Sequence, residues 1–545
     1  MTDFDTEQTG LPVGWALAKV ADVGAVRLGR QRSPDKHTGV SSSPYLRAAN
    51  VKNGELDLTN VLHMDFTPEE QAIFGLQHGD IVLAEASGSA TQVGRAAMWR
   101  NELPTCCYQN TVIRFRPHAV TPDYALVVFR HFSVAGIFAA AARGVGIQHL
   151  GGARFSGLPL PVPPLEEQRR IATEVQRRLA DLKGARASLE SALQRTREQE
   201  REILAAAADG TLLTGSDADV PDGRPASLAS AAAAQVQGGL FKEADKASAP
   251  PLPQGWTWET VGNVGEVRLG KQLSPAEERG PKKRPYLRVA NVFEDRIDVS
   301  DVKLMHFSDE EYLTYKLQPG DILLNEGQSP ELVGRPAMYR GEIDGVCFQN
   351  TLIRFRAHAF VDPDYALLVF RHYLHAGAFQ RRAQWSTNIA HLGLQRFATM
   401  PFQLPPFTTQ QRIAAEAARR LKACAAQGAA IAASLDKLPS MEAEILAAAV
   451  AGALVPQNPN DEAAAALLKR LGPPPSDRPI LPTRPNRVRG EQPVSKTRRA
   501  SSKANITRKR PLATVLREAG GSLPLPDLFS RAGYDRDSTE DVEQF

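Results

Sequence analysis

VRLGRQ at residues 26–31 returns as VRLGKQ at 267–272, and QNTVIRFR at 109–116 returns as QNTLIRFR at 349–356. These pairs decide the architecture, because their surroundings return with them. Working outward, GW at Gly14-Trp15 recurs at Gly255-Trp256, YLRAAN (45–50) as YLRVAN (286–291), GDIVL (79–83) as GDILL (320–324), and VGRAAM (93–98) as VGRPAM (333–338). DYAL (123–126, 364–367), HLG (149–151, 391–393), a PP…QxRIA run (163–172, 405–414) and EILAAA (202–207, 444–449) complete the series. The offset stays between 240 and 242 throughout. That period is too long for a solenoid, so each copy is a whole domain plus a connector. Two like units in one chain predict a pseudo-two-fold object, which suits a bipartite ligand.

Inside each copy, short β-rich runs such as IVLAEA, NTVIRFR, NTLIRFR and DILLNEG are bounded by Gly, Pro and Asp. YALVVFRHF (124–132) and YALLVFRHY (365–373) read as short helices packed on those strands. The fold class is α+β: two mixed α/β domains, each followed by a long helix. Pro163-Pro164 and Pro405-Pro406 close the globular parts and are well placed to start those helices. An apolar stripe runs through Val175, Leu182, Leu189, Thr196 and Ile203, with Leu179, Arg186, Leu193 and Glu200 beside it. The second copy reads Ala417, Cys424, Ile431, Leu438 and Ile445, with Leu421, Gly428, Leu435 and Glu442. This 3-4 spacing predicts a coiled-coil seam, and the two stripes are each other's natural partners. Antiparallel pairing would put the domains at opposite ends. A helix of about 43 residues spans roughly 65 Å, near two turns of B-DNA, and would act as a ruler between half-sites. Pro439 predicts a kink in the second helix or its end near Leu438.

The resulting plan is a first recognition domain at 11–163, a helix at 164–213, a linker at 214–250, a second recognition domain at 251–405 and a helix at 406–455. A basic, Pro-rich disordered tail at 456–510 and a small helical segment at 511–545 that reads as truncated follow. The 545 residues are 42% hydrophobic and 23% charged, an ordinary soluble composition. No run approaches a membrane span, and the polar N-terminus MTDFDTEQTG is no secretory signal. Four cysteines without CxxC or ligand spacing argue against a zinc site and a disulfide framework and fit a cytoplasmic protein. Between residues 469 and 510 there are 13 Lys and Arg against 2 Asp and Glu, so the net +4 conceals a negative remainder. That tail reads either as a solvated arm or as one touching phosphates.

Catalytic signatures are missing. GEVRLGKQ at 265–272 fits the phosphate-loop spacing, but Gln272 stands where a Mg²⁺-binding hydroxyl belongs and Pro275 stops a following helix. His149 and His391 lack a nucleophile to serve and read as domain-edge histidines bonded to backbone. HExxH, GxSxG, a nuclease-like Asp/Glu/Lys cluster and the Asn-Pro-Pro-Tyr type of run are all absent. What remains suits DNA. Arg27, Arg30 and Arg32 are placed in a Gly-containing loop, mirrored by Arg268 and Lys271, where they would meet phosphates or guanine. Arg47 and Asn50 recur as Arg288 and Asn291, Arg95 as Arg335, and Gln109 and Asn110 as Gln349 and Asn350. Asn and Gln pair with adenine in a bidentate way. Residues shared by both copies serve fold or phosphate contact, since halves reading different bases must differ. Base readout is therefore expected in the divergent stretches 33–43 against 274–284 and 86–92 against 327–332.

Taken together, GW, YLRxAN, GDI[VL]L, VGR[AP]AM, QNT[VL]IRFR, PP…QxRIA and EILAAAxxGxL, in this order and twice over, resemble the specificity subunit of type I restriction-modification systems, across about residues 11–455. The resemblance implies two recognition domains, each reading half of a split double-stranded DNA site, and two antiparallel helices that set the spacer and dock two methyltransferase subunits. Restriction (motor-nuclease) subunits join that core. It implies no catalysis by this chain, no metal and no cofactor of its own. S-adenosylmethionine, ATP and Mg²⁺ belong to the partners. The basic C-terminal extension departs from the pattern. A stand-alone methyltransferase-nuclease and a coiled-coil scaffold are the competing classes.

Overall fold

The computed structural model describes residues 10–32, 38–89, 91–144, 146–213, 252–274, 280–386 and 389–475. The linker at 214–250, the tail beyond 475, the segment 511–545, and parts of the divergent stretches (33–37, 90 and 275–279) lie outside the described residues.

Each domain is built on a four-stranded antiparallel sheet. In the first, the order is Gly24–Leu28, Val112–Pro117, Ile81–Ala84, Ala96–Met98; in the second, it is Gly265–Leu269, Leu352–Ala357, Ile322–Asn325, Pro336–Met338. Side chains alternate between the faces of a strand, and here both faces are covered. Ile81, Leu83, Ile113 and Phe115 meet the helix Pro122–Val134, which buries Tyr124, Val128 and Phe129. Val82, Ala84 and Val112 face the other way, onto Leu46, Val51, Trp99 and Tyr108. That explains why IVLA reads as an unbroken apolar run. A three-stranded layer (Leu62–Asp65, Ser42–Leu46, Cys107–Tyr108) supplies the second cover. The second domain repeats all of this, with the helix Pro363–His375 and the layer Lys303–His306, Lys283–Leu287, Cys347–Phe348.

Two recurring motifs hold the sheets. Arg116 grips Asp80 through both Nε and Nη2 at 2.7 Å, and Arg356 grips Asp321 at 2.6 and 2.7 Å. Both aspartates are buried. The Asp of GDI and the last Arg of RFR are therefore one structural unit, a fork-to-fork pair.

Proline caps both long helices, Leu165–Asp209 and Phe407–Val450. A buried glutamine fixes each to its domain. Gln168 Oε1 accepts from Thr121 N (2.7 Å) while Nε2 donates to Pro163 O; Gln410 does the same with Asp362 N (2.7 Å) and Pro405 O. The helices run antiparallel. Ile171 and Val175, near the start of the first, share the first domain's core with Leu446 and Ala449, near the end of the second. Ile203, Leu204 and Ala207 share the second domain's core with Ile413, Ala414 and Ala417. Midway, Gly428 faces Leu193 and Thr196. Each helix thus begins on its own domain and ends on the other. A Cβ at Gly210 would fall 2.8 Å from Trp256, and one at Gly452 3.1 Å from Trp15, so both GW motifs receive a helix end.

Three expectations need correction. Pro439 does not end the second helix, which continues to Val450; Leu438, Leu446 and Ala449 are buried on either side of it, and that packing outweighs one missing backbone bond. Arg186, placed in the stripe, is exposed. Residues 464–471, assigned to a disordered tail, form the helix Ala464–Leu471, whose Ala464 N donates to Gly14 O at 2.8 Å and whose Ala464 enters the first domain's core, with Leu468 and Leu471 packed against it. No helix among the described residues is long and apolar enough to cross a membrane.

Candidate nucleic-acid interface

One end of each four-stranded sheet gathers the recurring polar motifs, through a backbone network that repeats bond for bond. In the first domain Gly29 N donates to Val112 O, Asn110 N to Arg30 O, Gln109 N to Leu46 O, Glu85 N to Thr111 O, Leu150 N to Glu85 O and Ala84 N to Arg95 O, all at 2.8–3.0 Å. In the second, Gly270, Asn350, Gln349, Glu326, Leu392 and Asn325 donate to Leu352, Lys271, Leu287, Thr351, Glu326 and Arg335 at 2.8–3.2 Å. Gly29 and Gly270 are required here. A Cβ on either would lie 2.2–2.3 Å from the Gln109 or Gln349 backbone. The network therefore brings the Arg30, Arg47, Arg95 and Gln109-Asn110 regions to one edge; the divergent stretch 86–89 leaves from it directly after Glu85, while 38–41 caps Asp65 and 42–43 begin the strand Ser42–Leu46 that leads to Arg47.

Several side chains singled out by the sequence are turned inward. Arg27 and Arg268 lie on strands, opposite Arg114 and Arg354, and not in a loop; Arg268 stays exposed and pairs with Glu266 at 2.8 Å. Arg30 is buried, donates to Asp65 O, pairs with Glu70 at 3.1 Å and lies 4.7 Å from the Phe66 ring. Lys271 is buried likewise, donating to His306 O (2.8 Å) and Glu311 (2.7 Å). This occupies the lysine of the phosphate-loop pattern, whose first five residues form the strand Gly265–Leu269. Asn50 and Asn291 are buried and spent. Each amide oxygen accepts from the backbone N–H of Arg47 or Arg288, and each Nδ2 donates to two carbonyls at 2.8–3.1 Å. They cap a turn and have no bond left for adenine. Arg288 pairs with Asp301, and Arg335 donates to Val292 O over the Phe293 ring; burial pulls Arg335 below the usual guanidinium range. Arg47 and Arg95 are half-buried. Arg32 is exposed, and Gln109, Asn110, Gln349 and Asn350 are half-buried. The side-chain amides of these four make no hydrogen bond to any described residue.

The histidines also differ from expectation. Each ring bonds a carboxylate and not backbone: His149 Nδ1 to Glu85 Oε2 at 3.0 Å, and His391 Nδ1 to Glu326 Oε2 at 3.1 Å. Beside each, an arginine five residues on donates Nη2 to the histidine carbonyl and Nε to the next one, Arg154 at 2.7 and 2.8 Å and Arg396 at 2.9 and 2.8 Å. Gly151 and Gly393 (φ +72° and +71°) lie beneath these guanidinium groups, where a Cβ would come within 2.6–2.8 Å. Sequence reasoning missed Glu85, Glu326, Arg154 and Arg396; the full repeat HLGGARF/HLGLQRF was the signal. It also missed the central buried arginines, Arg114 and Arg354.

A family model described as the type I restriction modification DNA specificity domain matches residues 12–186 and 253–416. The chain is 24% identical over 485 residues to the EcoKI type I restriction enzyme specificity subunit of Escherichia coli K12, covering 85% of this chain and 95% of that protein. It is 27% identical over 492 residues to the StySPI specificity subunit of Salmonella potsdam, with the same coverage. A solved structure concerned with complex assembly and conformational transition of the type I restriction-modification system covers 81% of this chain and 99% of its own, with a TM-score of 0.60 at 16% identity. That is a likeness of fold.

Proposed function

Since the chain belongs to the family of type I restriction-modification DNA specificity domains, we propose that it is the DNA-reading subunit of such a system, each domain recognising one half of a bipartite double-stranded site. The observation that carries this reading is the duplicated sheet end. One invariant backbone network presents the divergent loops in both domains, and an antiparallel helix pair holds the two ends apart. Shared residues build the presenting edge; loops that differ between the copies meet the bases. The half-buried amides of Gln109, Asn110, Gln349 and Asn350 and the exposed Arg32 stand on that edge, with bases or phosphates as their ligands.

The same symmetry supports two identical protein partners. Glu174 with Arg177 and Arg178 on the first helix repeats as Glu416 with Arg419 and Arg420 on the second. In both places the arginines pull the carboxyl down to about 2. These charged surfaces are the docking sites for two methyltransferase subunits, and restriction subunits join the assembly. Catalysis resides in those partners. The test is to map methylated bases in a host carrying the system and to measure mobility shifts of the mapped duplex with and without methyltransferase. A split motif of fixed spacer is expected. No sequence preference under any condition would refute the reading. Removing one heptad from each helix should shorten the spacer, and an unchanged spacer contradicts the ruler arrangement.

A further inference from the structure

Among the described residues, the His–Glu pairs recur at the presenting edge with a partly exposed imidazole in each domain. The carboxylates are shielded, with Glu85 11% and Glu326 20% exposed, while His149 and His391 are 51% and 41% exposed. In each, Nδ1 is committed to the carboxylate, and Nε2 makes no hydrogen bond to any described residue. The ring sits on the small sheet that opens the divergent loop, a two-stranded ribbon with His149 opposite Ala86 in the first domain, and the middle strand of three with His391 between Gly327 and Gln384 in the second. A strut would gain nothing from such exposure. A base-reading group would not be kept unchanged in two domains that read different bases. A group that meets phosphate would be kept.

Phosphate oxygens only accept, so Nε2 must carry a proton to bond one. We propose that His149 with Arg154, and His391 with Arg396, form one phosphate clamp in each domain, and that each histidine takes up a proton from solvent when duplex DNA binds. This rests on the DNA-reading function above. The charged groups on the elements packed around each ring are Glu85, Arg143 and Arg154 in the first domain, and Glu326 and Arg396 in the second. A phosphate on the outer side adds a second anion, so the ring lies between two negative groups and the charged form wins. Histidine is the side chain whose charge changes between pH 5 and 8, so the linkage falls in a measurable range.

The test is affinity of the full chain, with its methyltransferase partner, for the mapped duplex at fixed ionic strength from pH 6 to 8.5. Wild-type affinity should fall as pH rises, by up to about tenfold per pH unit for each histidine that takes up a proton. His149→Gln and His391→Gln should each remove part of the slope, and the double variant should flatten it. His149→Arg should keep affinity high without its share of the slope. At pH 6 the double variant should also lower the salt dependence, by roughly 0.9 in the logarithmic slope per lost phosphate contact. A double variant with the wild-type pH slope overturns the proposal, even if it unfolds at a lower temperature, because a strut would give that result. A wild type with no pH slope overturns it too. Failure to bind the mapped duplex at every pH would instead count against the DNA-reading function.

Discussion

At the centre of the first domain, Arg114 lies 5.9 Å from the Tyr108 ring; at the same register in the second, Arg354 lies 5.7 Å from Phe348 and pairs with Glu266 at 2.9 Å, where the first domain has Ala25. Under the three-stranded layers, Arg30 pairs with Glu70 against Phe66, and Lys271 pairs with Glu311 against Phe307. The residues change, but a buried cation stays with an aromatic ring beside it. The outward stretches 38–43 and 280–284 also differ, but none of their described residues is a buried cation. Compensated differences mark scaffold, because an unpaired buried charge costs several kcal/mol. Uncompensated differences on the exposed edge mark the surface free to acquire new targets.

Breaking the shared bonds should hurt each domain separately. Asp80→Ala leaves Arg116 without its buried partner and should destabilise the first domain by about 3–5 kcal/mol, and Asp321→Ala the second by a similar amount. Domain-resolved hydrogen exchange checks this, and a loss in the untouched domain would break the picture of two independent copies. Gln168→Leu and Gln410→Leu strand a backbone N–H at the helix start and should cost about 1–3 kcal/mol each in denaturant unfolding.

Two further outcomes sharpen the difference between the copies. Asn325 is fully buried, and its Oδ1 and Nδ2 find no hydrogen-bond partner among the described residues, while its counterpart is Ala84. Asn325→Ala should therefore leave stability unchanged or raise it by about 1 kcal/mol, whereas Ala84→Asn should lower it. Burial also pushes the thiols of Cys106, Cys107 and Cys347, and the Tyr108 phenol, up to about 12. An unfolded thiol ionises near 8.5. The contribution of these thiols is intact below about pH 8.5 and is lost as pH rises from there toward 12. Burial raises the hydroxyls of Tyr365 and Tyr373 in the second domain as well, so both domains should lose stability above about pH 8.5, which limited proteolysis across an alkaline series checks.

The duplication, the α+β class and the long helices were legible because they rest on periodicity and repetition, which burial imposes on the sequence directly. Individual sites were less so. Asn50, Arg30 and Lys271 have DNA-binding chemistry, but a repeated polar residue is also what a buried cap or ion pair looks like, and only geometry separates the two. Glu85 and Glu326 were hidden because each meets its histidine across more than 60 positions of sequence. The helix Ala464–Leu471 was obscured by the Pro and basic residues that follow it. Pro439 does not end the helix, because packing of the helix against the first domain overrides its local preference.

The central claim is that the two domains are interchangeable readers on a pseudo-two-fold frame. It is tested most directly by replacing residues 12–163 with a second copy of 253–405 and mapping the bases methylated by the assembled complex. The account predicts a site in which the second half-motif appears twice, as an inverted repeat across the original spacer. Methylation that still requires the original first half-motif would contradict it.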